Sequence, residues 1–121
     1  MKLHEAAAQG RNVITAFDAG RIRINQDYFS GSLIITPDSV SPWQAVSFDA
    51  LDAADFAALL AFEPEVVLFG SGATLRFPHP RLTAQLAEAR VGFEVMDTHA
   101  ACRSYNILMA EDRKVVLAVL G

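Results

Sequence analysis

The chain of 121 residues contains one cysteine, Cys102, so it cannot form an intramolecular disulfide. A lone cysteine fits a reducing compartment. Long hydrophobic runs are also missing: the longest apolar segments, such as Val115–Leu120, have the length of a strand rather than of a bilayer span. Residues 1–12 are too polar for the apolar core of a secretory signal. We therefore expect a cytoplasmic protein with no segment inserted directly into a membrane.

Positive charge is absent from the middle of the chain. The net charge is −4, and no lysine or arginine occurs between Asn25 and Leu75. The same stretch holds seven acids: Asp27, Asp38, Asp49, Asp52, Asp55, Glu63 and Glu65. Because nucleic-acid binding depends on neutralising phosphates, we expect no nucleic-acid partner. The pattern favours a solvated acidic face, and the alternative is a bipolar surface that steers a charged partner.

The usual signatures of metal and cofactor sites are missing as well. One cysteine and the scattered histidines His4, His79 and His99 do not form a zinc ligand set. The segment Gly70–Gly72 lacks the third glycine of a dinucleotide fingerprint, and no Gly-Lys-Ser/Thr follows it. No serine lies in a nucleophile-elbow motif. We predict that the protein binds no metal and no cofactor, and we favour a protein that is not an enzyme.

What the chain does have is apolar content sufficient for a core. Hydrophobic residues make up 52% of the sequence and charged residues 20%. At this length no disulfide or metal is required for folding. No repeat or low-complexity tract divides the chain. We predict one domain over residues 1–121, with residues 1–11 allowed to be flexible.

The first half of the chain is typical of β-structure. Arg21–Ile24 alternates polar and apolar residues, the period of a strand with one wet face. The turn Asp18–Gly20 contains the glycine that a short hairpin loop favours. Four strands are predicted in this half: Asn12–Phe17 and Arg21–Ile24 as the hairpin, then Ser32–Thr36 and a short strand at Ala45–Phe48.

The second half alternates strands and helices. Asp52 is suited to cap a helix, and Pro80 suits a first helical turn. Glu65–Gly70 is apolar enough to be a strand buried on both faces. The predicted order is helix Ala53–Phe62, strand Glu65–Gly70, helix Pro80–Ala89, strand Phe93–Met96, a helix from Asp97 or Thr98 to Ala110, and strand Val115–Leu120. This predicts an α/β fold: one layered domain with a mixed central sheet, a C-terminal β-α-β-α-β unit and an N-terminal hairpin that adds antiparallel strands.

Ligands of open parallel sheets collect beyond the carboxyl ends of the strands. Gly70–Gly72 follows one such end and could present backbone N–H groups to an anion. Arg76, His79 and Arg81 lie just beyond it, near the start of a helix, where anions are favoured. The alternative is a tight turn that only glycine can make.

The second strand end carries Asp97, Thr98 and His99. Asp97 could be a general base and His99 could take part in acid–base chemistry, although a helix cap and a surface histidine are the stronger interpretation. Cys102 lies one turn further, where the helix N-terminus and Arg103 could lower the pKa of its thiol. We favour an inert, buried Cys102.

Three further residues are candidates for binding. Tyr105 and Asn106 interrupt an otherwise amphipathic helix, and Asn106 is suited to anchoring a neighbouring loop. Trp43 could anchor a partner, because tryptophan is enriched in interface hot spots. The alternative for Trp43 is a plug at the edge of the core.

Several segments carry a resemblance to a known family. They are Tyr28–Ser32, the pair Pro37 and Trp43, Pro64–Gly72, Val95–Leu108 and Glu111–Val115. With them the chain resembles a widespread family of small α/β proteins that includes mitochondrial respiratory complex I assembly factor 3 and an adipogenesis-associated protein. The family usually has Thr-Tyr-Asn where this chain has Ser104–Asn106, and Glu-Gly-Arg where it has Glu111–Arg113.

The resemblance implies a layered α/β domain and, by analogy, a role in assembling respiratory complexes. Two functional hypotheses follow. The first is a non-enzymatic assembly or interaction factor with a protein partner, respiratory-complex subunits by analogy. The second is an anion or small-molecule pocket, with or without catalysis, between Gly70–Gly72 and Asp97–Arg103. We favour the first.

Overall fold

The computed structural model describes residues 3–18 and 20–121. The predicted turn Asp18–Gly20 includes Ala19, which lies outside the described residues. The helices are α1 (Leu3–Ala8), α2 (Ala53–Ala57), α3 (Ala84–Glu88) and α4 (Thr98–Ala110), with 3₁₀ segments at Ala58–Phe62 and Pro80–Thr83. The strands are β1 (Ile14–Asp18), β2 (Arg21–Ile24), β3 (Asp27–Ser30), β4 (Leu33–Ile35), β5 (Val40–Pro42), β6 (Val66–Gly70), β7 (Gly92–Met96) and β8 (Val115–Val119).

The central sheet has five strands in the order β5-β4-β8-β6-β7. β6 pairs in parallel with β7 and with β8, whereas β4 runs antiparallel to β8 and β5. The predicted mixed sheet and β-α-β-α-β unit are confirmed. Because β7 and β8 lie on opposite sides of β6, the two crossovers run in opposite directions and place α3 and α4 on opposite faces of the sheet.

β1, β2 and β3 form a second, antiparallel sheet. The predicted hairpin is confirmed, but the expectation that it contributes strands to the central sheet is wrong. The antiparallel members of the central sheet are β4 and β5. The alternation in β2 determines which face of this sheet is buried: Ile22 and Ile24 belong to the core that includes α4, while Arg21 is exposed.

One local prediction is wrong. The short strand predicted at Ala45–Phe48 is irregular chain, and the strand lies earlier, as β5. Pro42 has no backbone N–H to donate, which suits the edge position of β5. The chain then turns inward to bury Trp43. A helix, α1, also occupies part of the N-terminal segment that the sequence left unassigned, and it buries Ala6.

The helix ends follow the predicted capping. Asp52 Oδ1 accepts from the Asp55 N–H at 3.1 Å, and Asp55 Oδ2 accepts from the Asp52 N–H at 3.0 Å, so α2 begins with a capping box. The helix tightens into the 3₁₀ segment and ends at Glu63, whose φ of 52° is left-handed. Pro64 cannot continue it.

The central sheet has a core on each face. α4 and the three-stranded sheet cover one face, with α2, α3 and the 3₁₀ segments on the other. The first core includes Leu68, Tyr105, Met109 and Leu117. The second includes Phe56, Phe69, Leu86 and Val116. This arrangement puts the carboxyl ends of β6 and β7 side by side, with their outgoing loops leaving toward opposite faces.

Candidate functional site

The two predicted strand-end loops lie in contact. The Gly72 N–H donates to Thr98 Oγ1 at 2.9 Å, and the Thr98 N–H donates to the Gly72 carbonyl at 2.9 Å. The Ser71 N–H donates to the Met96 carbonyl at 2.9 Å. These backbone donors are therefore engaged within the protein rather than directed at a ligand.

Gly70 lacks a side chain for a packing reason. A Cβ on Gly70 would lie 2.9 Å from Val119 Cγ1 and 3.1 Å from Thr98 Oγ1. Such distances are too short for carbon without movement of the neighbours. This close approach brings β6, β8 and the start of α4 together, which supports the structural explanation of the glycine.

Ser71 fixes the course of the following loop. Its hydroxyl donates to the Thr74 carbonyl at 2.8 Å and accepts from the Arg76 N–H at 3.0 Å. Ser71 itself is buried. The hydroxyl therefore shapes residues 71–76 from inside, and it is not presented to solvent as a nucleophile or ligand.

The cationic candidates do not converge on this crevice. The Arg76 guanidinium lies 4.0 Å from the Phe48 ring centroid, and its Nη2 lies 3.2 Å from Asp49 Oδ1. His79 Nδ1 accepts from the Arg81 N–H at 3.1 Å, so this ring caps the 3₁₀ segment that leads into α3. An anion site here stays a prediction, with its proposed contacts already engaged elsewhere.

Asp97 caps α4, with its Oδ1 accepting from the Ala100 N–H at 2.9 Å. His99 is exposed on the first turn, where Arg103 Nη1 donates to its Nδ1 at 2.7 Å. Phe17 packs beside it, with ring centroids 6.3 Å apart. A catalytic role for Asp97 and His99 stays a prediction.

Cys102 is only 4% exposed, on the buried side of α4. Burial raises the pKa of its thiol to about 12, and the opposing effect of Arg103 is smaller. We expect Cys102 in the folded protein to react with Ellman's reagent at pH 8 at least about tenfold more slowly than in the urea-unfolded chain, because the thiolate is scarce and shielded. Equal rates in the two states would contradict an inert Cys102.

Tyr105 and Asn106 tie α4 to the start of β1. Asn106 Oδ1 accepts from the Ile14 N–H at 2.9 Å, and its Nδ2 donates to the Ile14 carbonyl at 2.7 Å. Tyr105 Oη donates to the Asn12 carbonyl at 2.7 Å. β1 is an edge strand, so the Ile14 N–H and C=O have no neighbouring strand on this side. The Asn106 side chain pairs with both groups in place of such a strand.

Trp43 lies in the core and is 4% exposed. Its Nε1 donates to the Asp55 carbonyl at 2.9 Å, and its ring packs edge-on against Phe56 and Phe69. Trp43 therefore fills space at the edge of the core, which is the alternative interpretation given above. It is not available as an exposed anchor.

Sequence reasoning missed the most exposed apolar side chains at this end of the sheet. Leu75 is 52% exposed and Phe77 is 68% exposed, both in the loop after β6. Val46, 80% exposed, lies in the loop after β5. Arg76 joins the two loops through Phe48 and Asp49. We call Val46, Leu75 and Phe77 the apolar loop surface. The sequence feature that could have identified these residues is that they are apolar but follow neither a helical nor a strand period.

A cleft of about 500 Å³ lies at the opposite end of the sheet, near the amino ends of β6 and β8. Three of its charged lining residues are in ion pairs: Arg11 lies 2.7 Å from Asp112, and Arg113 lies 3.1 Å from Glu65. The Lys114 N–H and Arg113 donate to the Glu65 carboxylate and lower its pKa. These contacts join the segments that lead into β6 and β8.

The chain is similar to known proteins in sequence and in fold. A protein family described as "Protein of unknown function (DUF498/DUF598)" matches residues 14–120. The chain belongs to this family. NADH dehydrogenase (ubiquinone) 1 alpha subcomplex assembly factor 3 of Danio rerio is 24% identical over 122 residues, covering 99% of the chain and 70% of that protein. The resemblance to the family of complex I assembly factor 3 is thereby confirmed.

Two further similarities cover nearly the whole chain. A protein of Francisella tularensis named "13 kDa major membrane protein" is 26% identical over 122 residues, covering 99% of both chains. The crystal structure of a Bordetella parapertussis protein superposes with a TM-score of 0.85 at 38% identity, covering 91% of this chain and 95% of that one. Within residues 3–18 and 20–121, no helix is long and apolar enough to cross a membrane.

Proposed function

We propose that this protein is a non-enzymatic assembly factor that binds a protein partner through the apolar loop surface. The observation that carries the proposal is the exposure of Phe77 and Leu75, 68% and 52%, on one short loop. Apolar side chains grouped at a surface indicate contact with another macromolecule. Aromatic residues in particular are enriched in protein interfaces.

The loop that carries these side chains is held in place before any partner arrives. The Ser71 hydroxyl bridges the Thr74 carbonyl and the Arg76 N–H, and the Arg76 side chain packs on Phe48. A loop backbone fixed in this way loses little conformational entropy on binding. Because this entropic cost is small, the burial of a small apolar area can be enough for binding.

The proposed partner is a subunit of respiratory NADH dehydrogenase, by analogy with the relatives named assembly factor 3 of that enzyme. We further propose that the protein acts in the cytoplasm, on a partner at the membrane. Such a partner would reconcile a name like "major membrane protein" for the Francisella tularensis relative with the lack of a membrane-spanning helix in the described residues.

The alternative of an anion pocket between Gly70–Gly72 and Asp97–Arg103 has less support. Its glycine and threonine backbone donors are bound internally, and Arg76 and His79 have other contacts. An occupant would have to replace these bonds at a cost of about 1 kcal/mol for each one.

The test is affinity purification of the tagged protein from its own cells, followed by mass spectrometry. We expect NADH dehydrogenase subunits with the unaltered protein and at least about a tenfold loss of them with Leu75→Ser/Phe77→Ser, because interface aromatic residues carry much of the binding free energy. Both altered side chains are exposed, so the variant should keep its thermal stability.

Ile107→Ser is the matched control. Ile107 is 60% exposed on α4, an apolar side chain away from the loop surface. This variant should recover the same subunits in the same amounts as the unaltered protein. Equal recovery by the Leu75→Ser/Phe77→Ser variant, or failure of the unaltered protein to recover any NADH dehydrogenase subunit, would overturn the proposal.

A further inference from the structure

Two arginines and a tyrosine form a cationic platform on the outer face of the three-stranded sheet. The strand register puts Arg23 opposite Tyr28 and Arg21 opposite Ser30. The guanidinium carbon of Arg21 lies 4.3 Å from the Tyr28 ring centroid, and that of Arg23 lies 6.0 Å from it. Both distances are in the range of cation–π contacts. The side chains therefore lean from β2 over β3.

Neither platform arginine forms an ion pair within the described chain. The ion pairs found among residues 3–18 and 20–121 involve Arg11, Arg76 and Arg113, each at 4.0 Å or less, and neither platform arginine. Asp18 lies opposite Arg21 on the β1 side, away from β3, and forms no ion pair with it. Asp27 lies on β3, where strand alternation directs it to the face opposite Tyr28. On the β3 side of the platform two guanidinium groups therefore lie together without an ion-pair partner, in a chain of net charge −4.

The platform adjoins the outer edge of β3. In the order β1-β2-β3, the β1 edge is occupied at Ile14 by the Asn106 amide. The turn between Ile24 and Asp27 has two residues, and such hairpins are closed by a hydrogen-bonded pair. By alternation, Tyr28 and Ser30 direct their backbone N–H and C=O groups away from β2. Both residues are exposed.

The geometry points to this edge as a docking site for an acidic, extended segment of a protein partner, which adds to β3 as a fourth strand. The backbone groups of Tyr28 and Ser30 would pair with the segment's main chain. Acidic side chains at every second position of the segment would face Arg21 and Arg23, whose planar guanidinium groups suit carboxylates. This site is separate from the apolar loop surface and does not depend on it.

The strand edge favours a peptide over other anions. Phosphate groups of a lipid surface or of a nucleic acid can use the two arginines, but they cannot satisfy a row of backbone donors and acceptors. A peptide backbone satisfies both. The single exposed tyrosine also offers little of the repeated stacking on which single-stranded nucleic acids depend.

The test is fluorescence anisotropy of the purified full chain with a short labelled peptide that alternates glutamate with valine or threonine. We expect binding that weakens with salt and at least about a tenfold higher Kd for Arg21→Glu/Arg23→Glu, because like charges then face each other. Arg81→Glu/Arg90→Glu changes the net charge equally at exposed arginines elsewhere and should keep the affinity.

Ser30→Pro separates the strand edge from the charge. Proline removes the outward N–H without removing a hydrogen bond to β2, so we expect weaker binding with both arginines intact, while Ser30→Ala binds normally. If charge reversal unfolds the chain, Arg21→Gln/Arg23→Gln replaces it, with a smaller loss expected. Unchanged affinity of the arginine or proline variants would overturn the proposal, as would binding to phosphatidylglycerol vesicles but not to the peptide.

Discussion

Replacing Phe56 by alanine is expected to lower the free energy of unfolding by about 3–5 kcal/mol, the largest effect of any single substitution considered. Phe56 is fully buried, and three aromatic rings surround it: Trp43 at 5.7 Å, Phe69 at 5.5 Å and Phe93 at 5.7 Å between centroids. All three contacts are edge-on, the geometry in which aromatic quadrupoles attract. Alanine would leave a cavity that these rigid neighbours cannot fill.

Urea denaturation followed by circular dichroism measures this loss. Phe77→Ala is the matched control, since it deletes the same side chain at a site that is 68% exposed and should change stability by less than about 0.5 kcal/mol. Domains of this size have about 5–15 kcal/mol in total, so Phe56→Leu provides a milder variant if alanine prevents folding. A Phe56→Ala protein as stable as Phe77→Ala would contradict the aromatic core.

Replacing Asn106 by alanine is expected to cost about 2 kcal/mol of stability, because two hydrogen bonds are lost and the Ile14 N–H and C=O lose their partner. Ile14 is 6% exposed, so water replaces the amide only in part. Alanine is the better helix former, which makes the measured loss a lower bound for the hydrogen bonds. Hydrogen exchange of the Ile14 amide should accelerate along with the loss of stability.

Ile107→Ala tests whether this cost belongs to the anchor rather than to the helix. Ile107 is the next residue on α4 and is 60% exposed. Its substitution should change stability by less than about 0.5 kcal/mol and leave exchange at Ile14 unaltered. If both variants behaved alike, the two bonds between Asn106 and β1 would not be contributing to stability.

The parts of the fold that follow from local pattern could be predicted. β6 and β8 are apolar on both faces. Asp52 caps α2, and Asp97 caps α4. These features depend on neighbours within a few residues. The position of β5, by contrast, could not be predicted from local pattern. β5 has one apolar residue before Pro42, so its pairing with β4 leaves little trace in hydrophobic pattern.

The candidate site shows the same division. Gly70–Gly72 and Asp97–Thr98 do meet, as strand-end geometry predicts, because parallel β6 and β7 end together. The hydrogen bond between the Gly72 N–H and Thr98 Oγ1 could not be predicted, because it joins residues 26 positions apart. The Asn106 anchor spans 92 positions. Which polar group is engaged and which is exposed depends on such long-range contacts rather than on spacing.

Site-specific photo-cross-linking in cells tests the central claim, a protein partner on the apolar loop surface, most directly. A benzophenone amino acid would replace Phe77 in one variant and Ile107, the exposed residue on α4, in another. We expect a cross-link from position 77 to a subunit of NADH dehydrogenase and none from position 107. A partner captured from position 107 alone, or no cross-link from position 77 while the complex still forms, would contradict it.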